Sequence, residues 1–218
     1  MKRDLISTAT GMLVLTLLLG ILFPLAITGI SQVAFPGNAN GQQVFRGGKL
    51  IGSKLIGQAF ATPVTKHGTV VLDKTGNPVT VPDPRYFQSR PSGTVPADNA
   101  AGSAFANYGP NSLVTKQALA ANVSAYLALE RPYDPGLTVA ALPVDAVTTS
   151  ASGVDPHISP ANADIQAHRV AAVRHLSLAR VHRLIEAATQ GRGLGFLGES
   201  GVNVLGLNLA LDRLSKGH

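Results

Sequence analysis

The chain has 218 residues, no cysteine, no tryptophan and a formal net charge of +6. The lack of cysteine excludes disulfides and thiolate metal sites, so packing and hydrogen bonds must hold any folded part. The length allows one ordinary domain with a hydrophobic core in addition to an apolar N-terminal stretch.

The stretch from Met12 to Ile30 is the strongest signal in the sequence. It contains twelve Leu, Ile, Val or Phe residues, and no charged residue occurs between Asp4 and Arg46. About 20 helical residues cross the roughly 30 Å hydrocarbon core of a bilayer. Twelve such side chains favour insertion by on the order of 5 kcal/mol. The sequence therefore predicts one membrane-spanning helix over residues 8–30.

The residues that flank this helix predict its orientation. Lys2 and Arg3 are the only nearby cations, so we expect residues 1–7 in the cytoplasm and the bulk of the chain outside it, as in a single-pass protein of the cell (inner) membrane. The alternative is a cleaved signal peptide, cut near Gly37 and Ala39, that would release a secreted binding protein. We favour the retained anchor because the apolar run exceeds the usual core of about 7–15 residues in a signal peptide.

The segment after the helix predicts a linker and then the start of a domain. Residues 31–48 are rich in glycine and asparagine and lack apolar periodicity, which is typical of a linker. Residues 49–218 are expected to form the extracytoplasmic domain. At its start, residues 50–56 place Gly-Ser between two apolar pairs, which predicts a short strand and a tight bend.

An insert over residues 61–85 predicts a β-hairpin. Two β-branched runs flank Asp73–Pro78, with the turn expected near Gly76. The same residues begin like a phosphorylation signature in which an aspartate becomes an aspartyl-phosphate. We interpret Asp73 as a turn residue, because Asn77 and Pro78 follow where that signature continues with threonine and an aliphatic residue.

The rest of the chain predicts three helices and two further strands. Ser112 and Ser159 are good N-cap residues, the second with Pro160 at the first helical position. In order, we predict a helix over 113–129, a strand over 142–150, a helix over 160–173, a helix over 178–189 and a strand over 202–205. This alternation predicts a mixed α/β (α+β) domain behind a single transmembrane helix.

Three patterns resemble catalytic or ligand sites but lack the required context. Ser152, Asp155 and His157 fall within one short loop, where a hydrogen-bonded turn is favoured over a catalytic triad. The glycine pattern at 193–198 precedes a predicted strand, whereas a dinucleotide fingerprint opens a helix. Three histidines recur every seven residues, about 10.5 Å apart on a helix and too far apart to share a metal ion: His168, His175 and His182.

Two groups of residues are candidates for protein contacts. Gln166 and Arg169 lie on one helix face beside Ala163, where they could dock a partner or satisfy Asp155 within the domain. Five arginines between residues 169 and 192 could attract nucleic acid or anionic lipid. We expect a solvated or partner-facing surface and no nucleic acid, because the domain is expected outside the cell.

Five segments, in order, resemble the motifs of one known family. They are Gly52–Gln58 (GSKLIGQ), Tyr86–Ser92 (YFQSRPS), Asn107–Asn111 (NYGPN), Ala151–Pro160 (ASGVDPHISP) and Leu194–Asp212. The chain resembles the C subunit of the Kdp potassium-transporting ATPase, in which GSxLIGQ and YFxxRPS follow a single membrane helix. It departs from that pattern in three places. The insert at 61–85 is longer, Ser200 and Gly201 stand where the family has Pro and Arg, and Gly206 stands where it has Glu.

The resemblance implies an accessory subunit without an active site of its own. Its implied partners are a channel-like potassium-binding subunit and an ATP-hydrolysing P-type subunit. The implied role is to stabilise their assembly and, as a catalytic chaperone, to raise the ATP affinity of the hydrolysing subunit. Potassium and ATP would be handled by the complex, and we expect no cofactor or metal on this chain.

The resemblance also marks residues expected to serve partner contact or structure. In the domain they are Gly52, Ser53, Leu55, Ile56, Gly57, Gln58, Arg90, Pro91, Ser92, Asp155, Pro156, His157, Ser159, Gln166, Arg169 and Asn203. In the membrane helix we expect packing on the channel-like subunit and on lipid through Gly11, Gly20, Pro24 and Gly29, because small residues permit close approach of helices.

Overall fold

The structure is a computed structural model that describes residues 1–94, 96–102 and 108–215. It divides into two compact units, Met1–Ser53 and Lys54–His218, which are described separately. Asn107, in the third family segment, lies outside the described residues.

The N-terminal unit begins with a long apolar helix. It consists of α1 (Lys2–Leu17), a π-helical segment (Leu18–Leu22) and α2 (Phe23–Ala34). Lys2–Ala34 is long and apolar enough to cross a membrane and extends beyond the predicted 8–30 at both ends. The apolar side chains of this helix are exposed.

Pro24 accounts for the π-helical segment. Proline has no N–H to bond the carbonyl four residues earlier, and its ring crowds that carbonyl. The helix widens just before it, so that the Phe23 N–H bonds to the Leu18 carbonyl five residues back. The segment before Pro24 is thus a one-turn π-bulge within a continuous helix.

The predicted linker is more ordered than its composition indicated. A short helix, α3 (Pro36–Ala39), follows α2, and β1 (Gln43–Arg46) pairs antiparallel with β2 (Lys49–Ser53). The two-residue connection is Gly47-Gly48, with φ of +58° and +78°, as a tight hairpin turn requires. The expected short strand at residues 50–56 is confirmed as β2, whereas its partner strand was missed.

The insert contains the predicted turn, but its strands pair differently. β3 (Ala61–Pro63) pairs with β6 (Thr80–Pro82), and β4 (Thr65–Lys66) pairs with β5 (Thr69–Val70). A single bridge joins Leu72 to Pro78 across the turn. The strand after the turn therefore pairs mainly with residues N-terminal to the predicted hairpin.

The three predicted helices are confirmed as α4 (Leu113–Glu130), α6 (Pro160–Val173) and α7 (Leu178–Ala188). Ser159 caps α6, where its Oγ accepts from the Asn162 N–H at 3.1 Å. Ser112 and Ser177 occupy N-cap positions without a side-chain cap bond.

The strand predicted over residues 142–150 is wrong. The chain forms a 3₁₀ turn (Val139–Ala141) and a one-turn helix, α5 (Val144–Val147). Pro143 precedes α5 as its N-cap residue, and the Asp145 carboxylate accepts from both the N–H and the Oγ–H of Ser159. The bonds between Asp145 and Ser159, fourteen residues later, outweigh the β propensity of the valines and threonines.

The C-terminal region combines a small sheet with a helix that the sequence interpretation missed. β7 (His157–Ile158), β8 (Thr189–Gln190) and β9 (Gly201–Asn203) form an antiparallel sheet in the order β7-β9-β8. The predicted strand over 202–205 ends at Asn203, where α8 (Val204–Ser215) begins. Asn203 Oδ1 accepts from the Gly206 N–H at 2.9 Å and so caps α8.

The core of the C-terminal unit lies between α6, α7, α8 and this sheet. Its buried apolar residues are Phe87, Ile158, Ala163, Ala167, Val170, Ala171, Val181, Ile185, Val202, Val204, Leu207 and Leu211. The expected mixed α/β class is confirmed: the chain is one apolar helix followed by an α/β domain with small sheets.

Candidate interaction site formed by the sequence motifs

The family segments of the C-terminal unit converge around Gly57. The Gly57 N–H donates to the Val154 carbonyl at 2.7 Å, which joins the first segment to the Ala151–Pro160 loop. A Cβ at position 57 would lie 2.8 Å from the Asp155 carbonyl oxygen and 3.0 Å from Asp98 Oδ1. Glycine is required here because the two backbones approach too closely for a side chain.

Arg90 joins the second segment to the same loop. Its Nη1 lies 3.3 Å from Asp155 Oδ2, and its Nη2 donates to the Thr149 carbonyl at 3.2 Å. Next along the chain, Ser92 donates to the Gly153 carbonyl at 2.7 Å and accepts from the Asp98 N–H at 2.8 Å. Arg90 and Asp155 are both partly exposed, so this ion pair remains accessible to a partner.

Asp155 forms the central hydrogen bonds of the loop that contains Ser152 and His157, and these three residues resemble a catalytic triad. Its Oδ1 accepts from the His157 N–H at 2.9 Å and lies 3.8 Å from His157 Nδ1. Ser152 Oγ accepts from the Val154 N–H at 3.3 Å. The interpretation as a hydrogen-bonded turn is confirmed, because Ser152 and Asp155 both bond local backbone amides.

Asn203 and Pro156 attach the C-terminal sheet and helix to this arrangement. Asn203 Nδ2 donates to the Lys54 carbonyl at 2.9 Å and lies 3.5 Å from His157 Nε2. The Pro156 carbonyl accepts from the Val204 N–H at 3.0 Å. Asn203 therefore bonds the start of the domain and caps α8 at the same time.

The face with Gln166 and Arg169 is buried inside the domain. Arg169 is 0% exposed and bonds Glu130, while Gln166 is 1% exposed and exchanges hydrogen bonds with the backbone of Gln88. That burial leaves no surface for a partner on this face, and of the two alternatives the internal one applies, with Glu130 and not Asp155 as the acceptor. Burial raises the pKa of Glu130, while Arg169 beside it acts in the opposite direction.

A polar cleft of about 380 Å³ opens beside the Arg90–Asp155 pair. His157 and Ser159 line it from the motif loop, and Glu199 and Gly201 line it from the other side. An arginine, three carboxylates and an imidazole at one accessible cleft suit ionic and hydrogen-bonded recognition of a protein loop. We therefore take this cleft as the candidate interaction site.

Arg90 also borders a second cavity, of about 280 Å³, on the side of α4. Pro91 and Ser92 line it together with Asp98 and Tyr126. Burial raises the pKa of Asp98 to about 6 and also raises the pKa of Tyr126. Sequence patterns do not single out Asp98, because its desolvation depends on packing of the loop after Ser92.

The remaining predicted positions lie away from the cleft. In the N-terminal unit, Gly52 and Ser53 are in β2, where Ser53 Oγ donates to the Gly41 carbonyl. After them, Leu55 is exposed and Ile56 half-buried, and the half-buried Gln58 accepts from Ser89 Oγ through its carbonyl.

Asp73 and the three histidines also fall outside the cleft. The Asp73 carboxylate accepts from the N–H groups of Thr75 and Asn77 and from Thr75 Oγ1, which lowers its pKa. The turn interpretation is confirmed. Of the histidines, His182 lies 2.9 Å from Asp164, and within the described ranges no group of three His, Asp or Glu residues is arranged to hold a metal ion.

Comparison with known proteins identifies the family of this chain. Residues 5–213 match the family described as KdpC: K+-transporting ATPase, c chain. The chain belongs to the KdpC family. Among its relatives named "Potassium-transporting ATPase KdpC subunit", one from Methylococcus capsulatus is 47% identical over 204 residues (93% of this chain, 94% of the relative). Another, from Mycobacterium tuberculosis strain H37Rv, is 44% identical over 214 residues (98% and 100%).

Two departures from the expected KdpC pattern lie at the cleft and at the α8 cap. A Cβ on Gly201 would lie 3.3 Å from His157 Cβ, and a Cβ on Gly206 would lie 3.3 Å from Asn203 Oδ1. Larger residues at these positions require small shifts of His157 and Asn203. This chain therefore packs both motif residues against glycine.

Proposed function

We propose that this chain is the accessory subunit of an ATP-driven potassium uptake complex. It stabilises the assembly of a channel-like potassium-binding subunit with an ATP-hydrolysing P-type subunit. The observation that carries the proposal is a KdpC-family domain joined to an apolar helix, Lys2–Ala34, whose side chains are exposed and need lipid or other helices to cover them. The relatives' printed name supports potassium transport as the function of the complex.

We propose the N-in topology, with the domain on the outer side of the inner membrane. Lys2 and Arg3 form the N-terminal end of the helix, and positive charge favours the cytoplasmic side. In this topology the domain lies across the membrane from cytoplasmic ATP. It would raise the ATP affinity of the hydrolysing subunit indirectly, by binding one conformation of the pump better than another.

The glycines of the membrane helix offer points of close helix approach. A Cβ on Gly29 would meet nothing within 4 Å, and one on Gly20 would meet a Thr16 methyl at 3.9 Å. Nine residues make about two and a half turns, so Gly20 and Gly29 lie on different faces. We propose that they contact different neighbours, with Gly20 sharing its face with Thr16 and Pro24 at four-residue steps.

The test is co-purification of the tagged chain with the complex, followed by potassium-stimulated ATP hydrolysis. Gly20→Leu and Gly29→Leu, made singly, should each lower the recovery of partner subunits, because a bulky side chain blocks close approach. Size-conserving changes of exposed apolar residues, Leu19→Ile and Ile27→Leu, are the matched controls. Unchanged recovery and hydrolysis with both glycine variants would refute the packing model.

The intact mass of the mature chain separates the anchored subunit from the secreted alternative. Retention of the full N-terminus in the purified complex supports the anchor. A chain trimmed near Ala39 and recovered without detergent would instead support a secreted binding protein. Labelling of the domain by a membrane-impermeant reagent applied to the outside of spheroplasts should succeed, and labelling from the cytoplasmic side alone would contradict the proposed topology.

A further inference from the structure

The loop between β8 and β9 presents three large apolar side chains to solvent. Leu194 is 84% exposed, Phe196 70% and Leu197 53%. They occupy the glycine-rich pattern at residues 193–198, which the dinucleotide interpretation and the candidate cleft both leave unexplained. Exposed apolar groups gathered at one place mark a contact surface.

This loop is ordered by its own hydrogen bonds. Gly193 and Leu197 exchange backbone bonds, each with N···O of 2.8 Å, and the Phe196 N–H donates to the Gly193 carbonyl. Where the two ends of the loop meet, Arg192 Nη2 lies 2.8 Å from Glu199 Oε2. The apolar tip is thus held away from the core, with a charged pair behind it.

Leu194 carries a second sign of a specialised role. Its φ is +52°, a left-handed conformation that is unfavourable for a bulky residue and that glycine or asparagine adopts more readily. The chain therefore combines backbone strain with near-complete exposure of an apolar side chain. Neither helps the isolated domain to fold, so the arrangement points to something outside the domain that covers the tip.

The length of the tether favours the bilayer as that cover. The domain begins at Lys54, directly after Ser53, and Ser53 pairs with Gln43 across the β1–β2 hairpin. Gln43 follows Ala34, the last residue of the helix, by nine residues, four of which are in α3. Even fully extended, this stretch spans at most roughly 30 Å. A domain of this length has a radius of gyration of roughly 15 Å, so the tether is short enough for a surface loop of the domain to reach the membrane.

We propose that the loop tip, Leu194, Phe196 and Leu197, inserts into the headgroup–acyl boundary of the bilayer that holds the chain's own helix. Leucine and phenylalanine are the residues that interfacial segments bury, and the Arg192–Glu199 pair remains at headgroup level. This second membrane contact restrains the domain beside the membrane. The proposal rests on the membrane anchoring given under Proposed function.

The chain contains no cysteine, so single cysteines can report the position of the loop. The full chain is reconstituted in nanodiscs of zwitterionic and anionic phospholipid with a fluorophore on Leu197→Cys, which leaves Leu194 and Phe196 in place. We expect quenching by phospholipid carrying a nitroxide high on its acyl chain and protection from aqueous iodide. The control is Val144→Cys, an exposed apolar position in α5 (74% against 53% for Leu197), which should show the reverse.

A label at Ile21→Cys, in the helix, separates the two proposals. If nitroxide lipid quenches the label at Ile21 but not the label at Leu197, and iodide reaches Leu197, then loop insertion is wrong and the anchor stands. Loss of quenching at Ile21 overturns the anchor and loop insertion with it. If Leu197 is shielded from iodide only when the other subunits are added, and lipid does not quench it, the tip docks on a subunit and insertion is wrong.

A substitution at the tip supplies an independent readout. Phe196→Asp, combined with the label at Leu197, should abolish lipid quenching and restore access to iodide, because a carboxylate resists the apolar boundary. Phe196 is outside the core, so the thermal midpoint of the domain should not change. Undiminished lipid quenching in this variant would overturn the proposal.

Discussion

Arg169 and Glu130 form an ion pair in the interior of the domain, with Arg169 Nε 3.0 Å from Glu130 Oε1. The two side chains are 0% and 1% exposed. Arg169 Nη1 also donates to the carbonyls of Pro84 and Tyr86, and its Nη2 donates to Gln166. One arginine therefore connects α4, α6 and the chain that leads into the second family segment.

Removing both members of this pair should destabilise the domain by less than the sum of the two single removals. Arg169→Met leaves Glu130 as an uncompensated buried charge and should lower the free energy of unfolding by about 3–5 kcal/mol. In Arg169→Met/Glu130→Leu the loss should be smaller than the sum of the two single losses, because the second change removes the orphaned carboxylate.

Urea denaturation of the full chain in detergent, followed by circular dichroism, measures these differences. Arg183→Met, at an exposed arginine of α7, is the matched control and should shift the free energy by less than about 0.5 kcal/mol. Additive single losses in the double variant would show that the pair is not coupled.

Gly57→Ala should destabilise the domain although alanine adds a single methyl group. Its Cβ would lie 2.8 Å from the Asp155 carbonyl oxygen, so the two family segments would have to separate, at a cost of about 1–3 kcal/mol. Gly109→Ala is the control, because a Cβ there meets nothing within 4 Å. Equal unfolding midpoints for the two variants would contradict the close approach at Gly57.

Asn203 should matter both through its cap and through its bond to Lys54. Asn203→Ala loses the acceptor for the Gly206 N–H and the donor to the Lys54 carbonyl, so we expect a loss of about 2 kcal/mol. Asn203→Asp keeps the cap oxygen and should lose less. Ser112→Ala, at an N-cap position that makes no side-chain cap bond, should be nearly neutral in the same denaturation experiment.

Local signals predicted some elements well and others poorly. Ser159 followed by Pro160 specified the start of α6, and Asp73 specified its own turn, because capping and turn residues act over a few positions. The two-residue strands β7 and β8 could not be predicted, since they exist through pairing with β9. The strand predicted over 202–205 extends two residues into α8, because valine and leucine are compatible with both strand and helix. The N-cap at Asn203 marks the true boundary.

The candidate site shows the same division between local and long-range information. The motif residues were identified from sequence, and Gly57, Arg90, Asp155 and Asn203 do converge in the structure. Their partners could not be read from spacing. The acceptor for Arg169 is Glu130 on another helix, 39 residues away, and periodicity along one helix carries no information about it.

Asp98 should make the stability of the domain depend on pH. Burial raises its pKa to about 6 from 3.8, so the folded chain binds more protons than the unfolded chain between these values. The free energy of unfolding therefore falls as pH rises through this window, and the cost of the buried charge is fully present above about pH 6. Asp98→Asn removes that charge and tolerates the local φ of +55°.

We expect Asp98→Asn to be more stable than the unmodified chain at pH 7.5, by on the order of 2 kcal/mol, and equal to it near pH 3.5. The measurement is the difference between their urea midpoints across pH 3.5–7.5. The subtraction cancels other titrating groups such as Asp83, whose pKa is lowered by Arg85. A difference that does not change with pH, or a variant that is less stable at pH 7.5, would show that Asp98 is neutralised by a partner and is not desolvated.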